Sequence, residues 1–250
     1  MGKTLLDEFE EHIEISEFSK INSKSLTILP SLKNFEINDK INLILNSENI
    51  KKLKLFRFGE YLAVCDEIDL YLSEFSDSIF ELLPKDVDIQ GVSFLLYELL
   101  INIYKHSKFE NSYIQINISP DEQQIDICII DDGIGIPKSF YEGQIDYKND
   151  CEAIYQSING KTTDKEKYNL HGRGLNTSVR LTTLGFDGEI LIASSKGVCY
   201  ITSDGAKLHQ NKRRINGTFI MLRINNKKIE NIYECIKFKK INKLEVDKND

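Results

Sequence analysis

Residues 124–137 read QIDICIIDDGIGIP, a nearly apolar run that passes directly into an acidic turn containing two glycines. The run from Ile125 to Ile130 is typical of a central β-strand that is covered on both faces. Gly133 and Gly135 allow the backbone to turn sharply and to approach a flat ligand closely. Asp131 ends the strand, where its carboxylate is placed to accept a hydrogen bond from an exocyclic amine such as that of adenine.

Upstream of this turn, residues 95–106 read LLYELLINIYKH and predict a strongly apolar helix. Its polar residues recur at spacings of four, three and seven, which places them on one side: Glu98, Asn102, Lys105 and His106. A solvated stripe is less favoured than a ligand site, because the helix is apolar nearly all round. The Asn102 oxygen suits a hard cation such as Mg²⁺, and Glu98 is suited to orient or deprotonate a nucleophile.

Downstream of the turn, glycines precede a second helix in the stretch His171-Gly172-Arg173-Gly174-Leu175. Glycines at a helix N-terminus expose N–H groups at the positive end of the helix dipole, where phosphate oxygens bind. Arg173 adds a positive charge there, although a surface charge explains this residue equally well. Gly217 and Thr218 are predicted to open a strand, with the hydroxyl supporting Asp131 across the sheet.

In chain order, these residues resemble the ATP-binding motifs of the GHKL superfamily. This superfamily comprises the Bergerat-fold ATPases of gyrase, heat-shock chaperones, mismatch-repair proteins and histidine-kinase catalytic domains. The matching patterns are Glu98-x-x-x-Asn102-x-x-x-His106, Asp131-x-Gly133-x-Gly135, Gly172-x-Gly174 and Gly217-Thr218. Four short motifs in the right order are hard to obtain by chance. The resemblance implies a two-layer α/β sandwich with a mixed β-sheet, helices on one face, and ATP held between the helices and a mobile lid.

The resemblance also implies the ligands ATP and Mg²⁺ and a role for each matching residue. Asn102 binds the Mg²⁺ that bridges the phosphates, and Asp131 binds adenine. The other implied nucleotide contacts are Lys105, Gly133, Gly135, Gly172, Arg173, Gly174, Leu175 and Thr218. Glu98 is the implied catalytic base, as in stand-alone anti-sigma-factor-type serine kinases and clamp ATPases, whereas histidine-kinase domains usually carry Asn there.

Changes of periodicity divide the chain into an N-terminal α/β region at 1–85, an ATP-binding domain at 86–225 and a tail at 226–250. The lid is expected at 138–170, with a capping box at Asn149 and Glu152 and a helix stop at Gly160. Within the tail, an edge strand is predicted at Ile232–Phe238 and a frayed end at Leu244–Asp250. In the N-terminal region, the pattern predicts short strands at Ser25–Leu29, Ile41–Leu45 and Leu53–Phe58. A helix is predicted to follow at Tyr61–Ile79. Whether it is a sensory or docking subdomain, a dimer contact or extra layers on the sheet is left open.

The composition, 41% hydrophobic and 28% charged with a net charge of −7, predicts a globular chain that does not bind nucleic acid through bulk charge. No stretch approaches the ~20 apolar residues of a membrane helix, and the acidic N-terminus does not resemble a secretion signal. We therefore expect a cytoplasmic protein without a membrane partner. Its five cysteines lack C-x-x-C spacing and predict reduced thiols rather than disulfides or a zinc site.

Several activities fit such a domain. A sensor histidine kinase would need a phosphoacceptor helix pair, which the surroundings of His12 do not suggest, and a clamp ATPase would need a second domain after the Gly217 strand. The favoured prediction is an ATP-binding regulatory protein in signalling, a nucleotide-dependent switch or an anti-sigma-type serine/threonine kinase that acts on a partner protein. The alternatives are an interaction module without turnover and a slow Mg²⁺-dependent ATPase. Turnover, the partner and a homodimeric state are left open.

Overall fold

The sheet is built around the strand that the sequence predicts to be central. The computed structural model describes residues 4–7, 9, 50–55, 83–109, 112–119, 121, 123–163, 174–242 and 244–246. Strand β3 (Gln124–Asp131) is buried from Ile125 to its end. The reason is that sheet neighbours cover both of its edges and apolar layers cover both of its faces.

Six strands of the described residues form one mixed sheet. The other five are β1 (Ile50–Leu55), β2 (Ser112–Ile118), β4 (Glu189–Thr202), β5 (Gly205–Asn225) and β6 (Leu244–Val246). The order β1-β2-β3-β5-β4 is antiparallel throughout, and β6 lies parallel to the first part of β5. The predicted α/β sandwich with a mixed sheet is therefore confirmed.

Four longer helices lie on one face of this sheet and bury its larger apolar core. They are α1 (Ile89–Asn102), α2 (Ile136–Glu142), α3 (Asp150–Ile158) and α4 (Gly174–Arg180). Helix α1 begins at Asp88, whose side chain accepts a hydrogen bond from the Gly91 N–H at 2.9 Å. It continues as a π-helical turn, Ile103–Ser107, and α4 ends in a similar turn, Leu181–Gly185.

The opposite face of the sheet is covered by residues from the N-terminus of the chain. Leu5 and Phe9 are fully buried there against Cys128, Ile130 and Phe219. The Phe9 and Phe219 rings lie 5.8 Å apart between centroids. These described residues therefore form an extra layer on the sheet, which is one of the alternatives left open for the N-terminal region.

The tail differs from its prediction. Ile232–Phe238 is not an edge strand: residues Ile232–Ile236 form a short helix, α5, and the Asn231 side chain accepts a hydrogen bond from the Glu234 N–H at 3.3 Å. Leu244–Asp250 is not simply frayed, because Leu244–Val246 forms β6. The physical reason is packing: Cys235 is buried in the helical core, and β5 offers β6 backbone hydrogen-bonding groups.

Several predicted features lie outside the described residues. Strand β1 (Ile50–Leu55) overlaps the predicted Leu53–Phe58 run in part. The features outside are Ser25–Leu29, Ile41–Leu45, the Tyr61–Ile79 stripe, Gly172 and Arg173. The four described cysteines are buried free thiols, in agreement with the prediction. None of the helices among the described residues has the length and apolar character needed to span a membrane.

Candidate functional site

A cavity of about 560 Å³ lies between helices α1 and α4, the residues that follow α3, the end of β3 and the middle of β5. Its volume lies in the range of sites that bind small molecules and nucleotides. The structure brings most of the predicted site residues together in its wall: Glu98, Asn102, Lys105, Asp131, Gly135, Gly174, Leu175 and Thr218. Residues that are distant in sequence therefore share one concave surface.

The polar stripe of α1 approaches the first residue of α4 closely. A Cβ atom on Gly174 would lie 2.6 Å from Glu98 Oε2 and 3.3 Å from Asn102 Nδ2. The absence of a side chain at Gly174 therefore lets the carboxylate, the carboxamide and the N-terminus of α4 meet. Side-chain oxygens of Glu98 and Asn102, which are of the kind that binds a hard cation, therefore lie against the first described turn of α4.

Asp131 is a buried acid in this wall with a strongly raised pKa. It is 2% exposed, and its Oδ1 accepts a hydrogen bond from the Gly133 N–H at 2.9 Å. Thr218, its register partner on β5, also donates to this carboxyl. The pKa of Asp131 is raised to about 7, mainly because the carboxyl group is buried and in smaller part because of the nearby Asp132 charge, while the hydrogen bonds from Gly133 and Thr218 oppose the shift.

Two glycines with positive φ shape the turn after β3 and the part of β5 that packs against this turn. Gly135 has φ +75° and Gly217 has φ +74°. A Cβ on Gly217 would lie 1.9 Å from the Asp131 carbonyl oxygen, and one on Gly135 would lie 2.6 Å from Ser194 Oγ. Ser194 donates to the Gly217 carbonyl at 2.7 Å and accepts from the Ile136 N–H at 3.0 Å. One hydroxyl therefore joins the turn, the start of α2 and β5.

Two predicted glycines occupy positions different from those expected. Gly217 does not open a strand: it lies within β5 at the register shift opposite Ser194 and Ser195, because the left-handed residue interrupts a longer ladder. Gly133 lies against the Ser107 carbonyl, from which a Cβ would be only 2.1 Å away. Its described contribution is close packing onto the end of α1 and a hydrogen bond to Asp131.

The segment predicted as a lid, 138–170, contains most of α2 and all of α3. The Asn149 side chain accepts from the Glu152 N–H at 2.9 Å, and Glu152 accepts in return from the Lys148 N–H, a slightly displaced capping box. Gly160, with φ +91°, follows the end of α3 as expected for a helix stop. Residues 164–173 lie outside the described part of the chain.

Sequence reasoning missed several residues in the cavity wall. These are Phe94, Tyr97 and Ile101 on α1, Ser139 and Phe140 on α2, Lys161, Thr162 and Thr163 after α3, and Ile236 on α5. The α1 members share the helical spacing of Glu98 and Asn102, so that periodicity was an available signal. The other residues have no such signal in the sequence, because tertiary packing alone places them in the cavity wall.

Comparison with known proteins also indicates an ATP-binding domain. A family model described as "Histidine kinase-, DNA gyrase B-, and HSP90-like ATPase" matches residues 87–225. A search of curated proteins finds no match. The matched part is more than half of the chain and contains the described motifs on α1, β3, α4 and β5. This chain therefore belongs to the GHKL superfamily and carries its histidine-kinase-like ATP-binding domain.

Proposed function

We propose that this protein is a nucleotide-dependent regulator that phosphorylates a serine or threonine of a partner protein, in the manner of anti-sigma-type kinases. ATP binding follows from the domain, whereas phosphotransfer depends on the acid at Glu98. The observation that carries the proposal is that Glu98 and Asn102 line the same cavity, one helical turn apart. A carboxylate at this position is suited to take the proton from an incoming hydroxyl.

The adenine end of the proposed site is Asp131. In its ionised form, the carboxylate can accept a hydrogen bond from the exocyclic amine of adenine while Gly133 and Thr218 continue to donate to it. The buried position keeps water from competing for this acceptor. Asp131 would therefore orient the base, and Asn102 and Glu98 would lie on the phosphate side.

The described residues fit a magnesium ion that enters together with the nucleotide. No three described His, Cys, Asp or Glu side chains cluster as metal ligands. An oxygen from Asn102, completed by phosphates and water, suits Mg²⁺, which usually takes few protein ligands. Asn102 would hold the ion, and the ion would supply positive charge that offsets charge on the phosphoryl group.

The test is phosphotransfer by a Glu98→Gln variant. The amide keeps the shape of the side chain beside Gly174 but cannot accept the proton, so we expect transfer to fall by on the order of 100-fold or more. Mg²⁺-ATP affinity should change little. The measurement uses γ-labelled ATP with the proteins encoded by neighbouring genes. Glu142→Gln is the control, because Glu142 is exposed on α2 and pairs with Lys108.

The products distinguish the proposal from its alternatives. Label on a serine or threonine of a partner, lost in Glu98→Gln, supports the kinase. Free phosphate without labelled protein would instead indicate a slow ATPase. Tight ATP binding with neither product would indicate an interaction module in which nucleotide orders the lid.

A further inference from the structure

The turn that follows α3, residues 161–163, lines the same cavity as Glu98, Asn102 and Lys105. It was not among the residues singled out by motif. Two of its members make side-chain contacts that matter for the cavity: the Lys161 ammonium bonds to an amide, and the Thr163 hydroxyl bonds to His106 and Ser139.

Thr163 joins the turn to two other elements of the cavity wall. Its Oγ1 lies 3.2 Å from His106 Nδ1 on the π-helical end of α1 and 3.4 Å from Ser139 Oγ on α2. Its methyl group occupies the space left by Gly143, where a Cβ would be 2.7 Å from Thr163 Cγ2. The turn is therefore attached to α1 and α2 by one side chain.

The ammonium group of Lys161 has a neutral hydrogen-bond partner rather than a carboxylate. The ammonium donates to Gln156 Oε1 at 3.0 Å, a neutral acceptor, and within the described part of the chain it forms no ion pair. Four other described lysines, Lys108, Lys207, Lys227 and Lys237, each pair with a carboxylate, whereas Lys228 donates to the Val87 carbonyl at 2.7 Å. A bond to an exposed amide is weak and is readily exchanged for a bond to an anion.

The charge balance of the cavity favours such an exchange. Glu98 and Asp131 bring acidic groups to the wall, whereas Lys105 and Lys161 are the described lysines in it. A triphosphate carries several negative charges, so it requires cations beyond a single metal ion and one lysine. The two lysines approach from different elements, α1 and the turn after α3.

We propose that Lys161 is a nucleotide-binding residue that contacts the terminal phosphates of ATP, and that Thr163 positions it through His106. In the nucleotide complex, the Lys161 ammonium leaves Gln156 and donates to phosphate oxygens. Thr163 does not touch the nucleotide and acts by holding the turn against α1. The inference rests on the proposed nucleotide site but not on phosphotransfer.

The first test is calorimetric titration of Lys161→Gln with ATP and with adenosine in the presence of Mg²⁺. We expect ATP to bind roughly tenfold or more weakly and adenosine to bind as it does to the wild type, because only the phosphate contact is lost. Lys148→Gln is the matched control, since Lys148 is an exposed lysine between α2 and α3 that does not line the cavity. Unchanged ATP affinity in Lys161→Gln, with the wild type binding normally, would overturn the inference.

The second test separates positioning from general packing. Thr163→Val removes the hydroxyl and keeps the shape, and it should weaken ATP binding in the wild-type background but add nothing in the Lys161→Gln background. Thr163→Ser keeps the hydroxyl and should restore most of the affinity. Additive losses in the double variant would overturn the positioning role. Absence of binding heat from the wild type would instead remove the nucleotide site itself, a different result from a Lys161 failure.

Discussion

Replacing Asp131 by Asn should weaken ATP binding by on the order of 100-fold and, above pH 7, make the unliganded protein more stable. The two effects have one cause. The buried carboxylate is an acceptor on which adenine recognition depends, and it is costly to keep ionised in the empty cavity. In the variant, either the Gly133 N–H or the adenine amine would face an amide NH₂ group, so that one hydrogen bond is always lost.

The sign of the stability difference between the wild type and the variant follows from the raised pKa of Asp131. Because burial raises the pKa of Asp131 from 3.8 to about 7, its protonated form favours the folded state. This contribution is complete below about pH 4 and is lost as the pH rises through 7, a decrease of about 4 kcal/mol in the free energy of unfolding. The carboxamide of the Asp131→Asn variant does not titrate, so the variant and the wild type should have similar stability at pH 4 and diverge up to pH 8.

Urea unfolding at pH 4, 6 and 8, together with ATP titration at pH 8, measures both effects. Asp146→Asn is the matched control, since Asp146 is an exposed acid between α2 and α3 that does not line the cavity. Unaltered ATP affinity in Asp131→Asn would contradict the assignment of the adenine end. If the free energy of unfolding depended on pH in the same way in the wild type and in Asp131→Asn, the raised pKa of Asp131 would be contradicted.

Replacing Arg223 by Met should lower the free energy of unfolding by about 3–5 kcal/mol, because it leaves two acids in the sheet without their cation. The Arg223 guanidinium bonds to both oxygens of Asp126, at 2.8 and 3.1 Å, and to Glu189 at 3.1 Å. The side chains of Arg223 and Asp126 are 8% and 6% exposed. Glu189 also accepts from the Leu5 N–H at 3.3 Å, so the loss should loosen the N-terminal layer as well.

The midpoint of urea unfolding measures this loss. Lys227→Met is the matched control, because it removes a lysine whose pair with Asp187 is largely exposed and should cost less than ~1 kcal/mol. Adding Asp126→Asn to Arg223→Met removes one uncompensated charge and should recover part of the stability. Equal losses in Arg223→Met and Lys227→Met would show that the buried network contributes no more than a surface pair.

Local patterns were sufficient for most of the domain. The apolar run of β3, the helix around Glu98 and Asn102, and the cap at Asn149 depend on residues close in sequence, and all three are present as predicted. The tail shows the limit of such reasoning. The short apolar run Ile232–Phe238 was predicted as a strand, but Ile232–Ile236 forms a helix capped by Asn231, because helix and strand are hard to distinguish at that length.

Chain order and residue type identified the acid after β3, the polar stripe of α1 and the glycines that allow close approach, because steric and hydrogen-bonding requirements leave few residue types suitable there. The sequence could not show that Lys161 and Thr163 share a cavity with Asn102, or that Gly217 lies in the middle of a long strand. Those facts arise from packing between elements far apart in the chain. Burial gives Asp131 its raised pKa for the same reason, since a carboxyl group loses water only when other segments surround it.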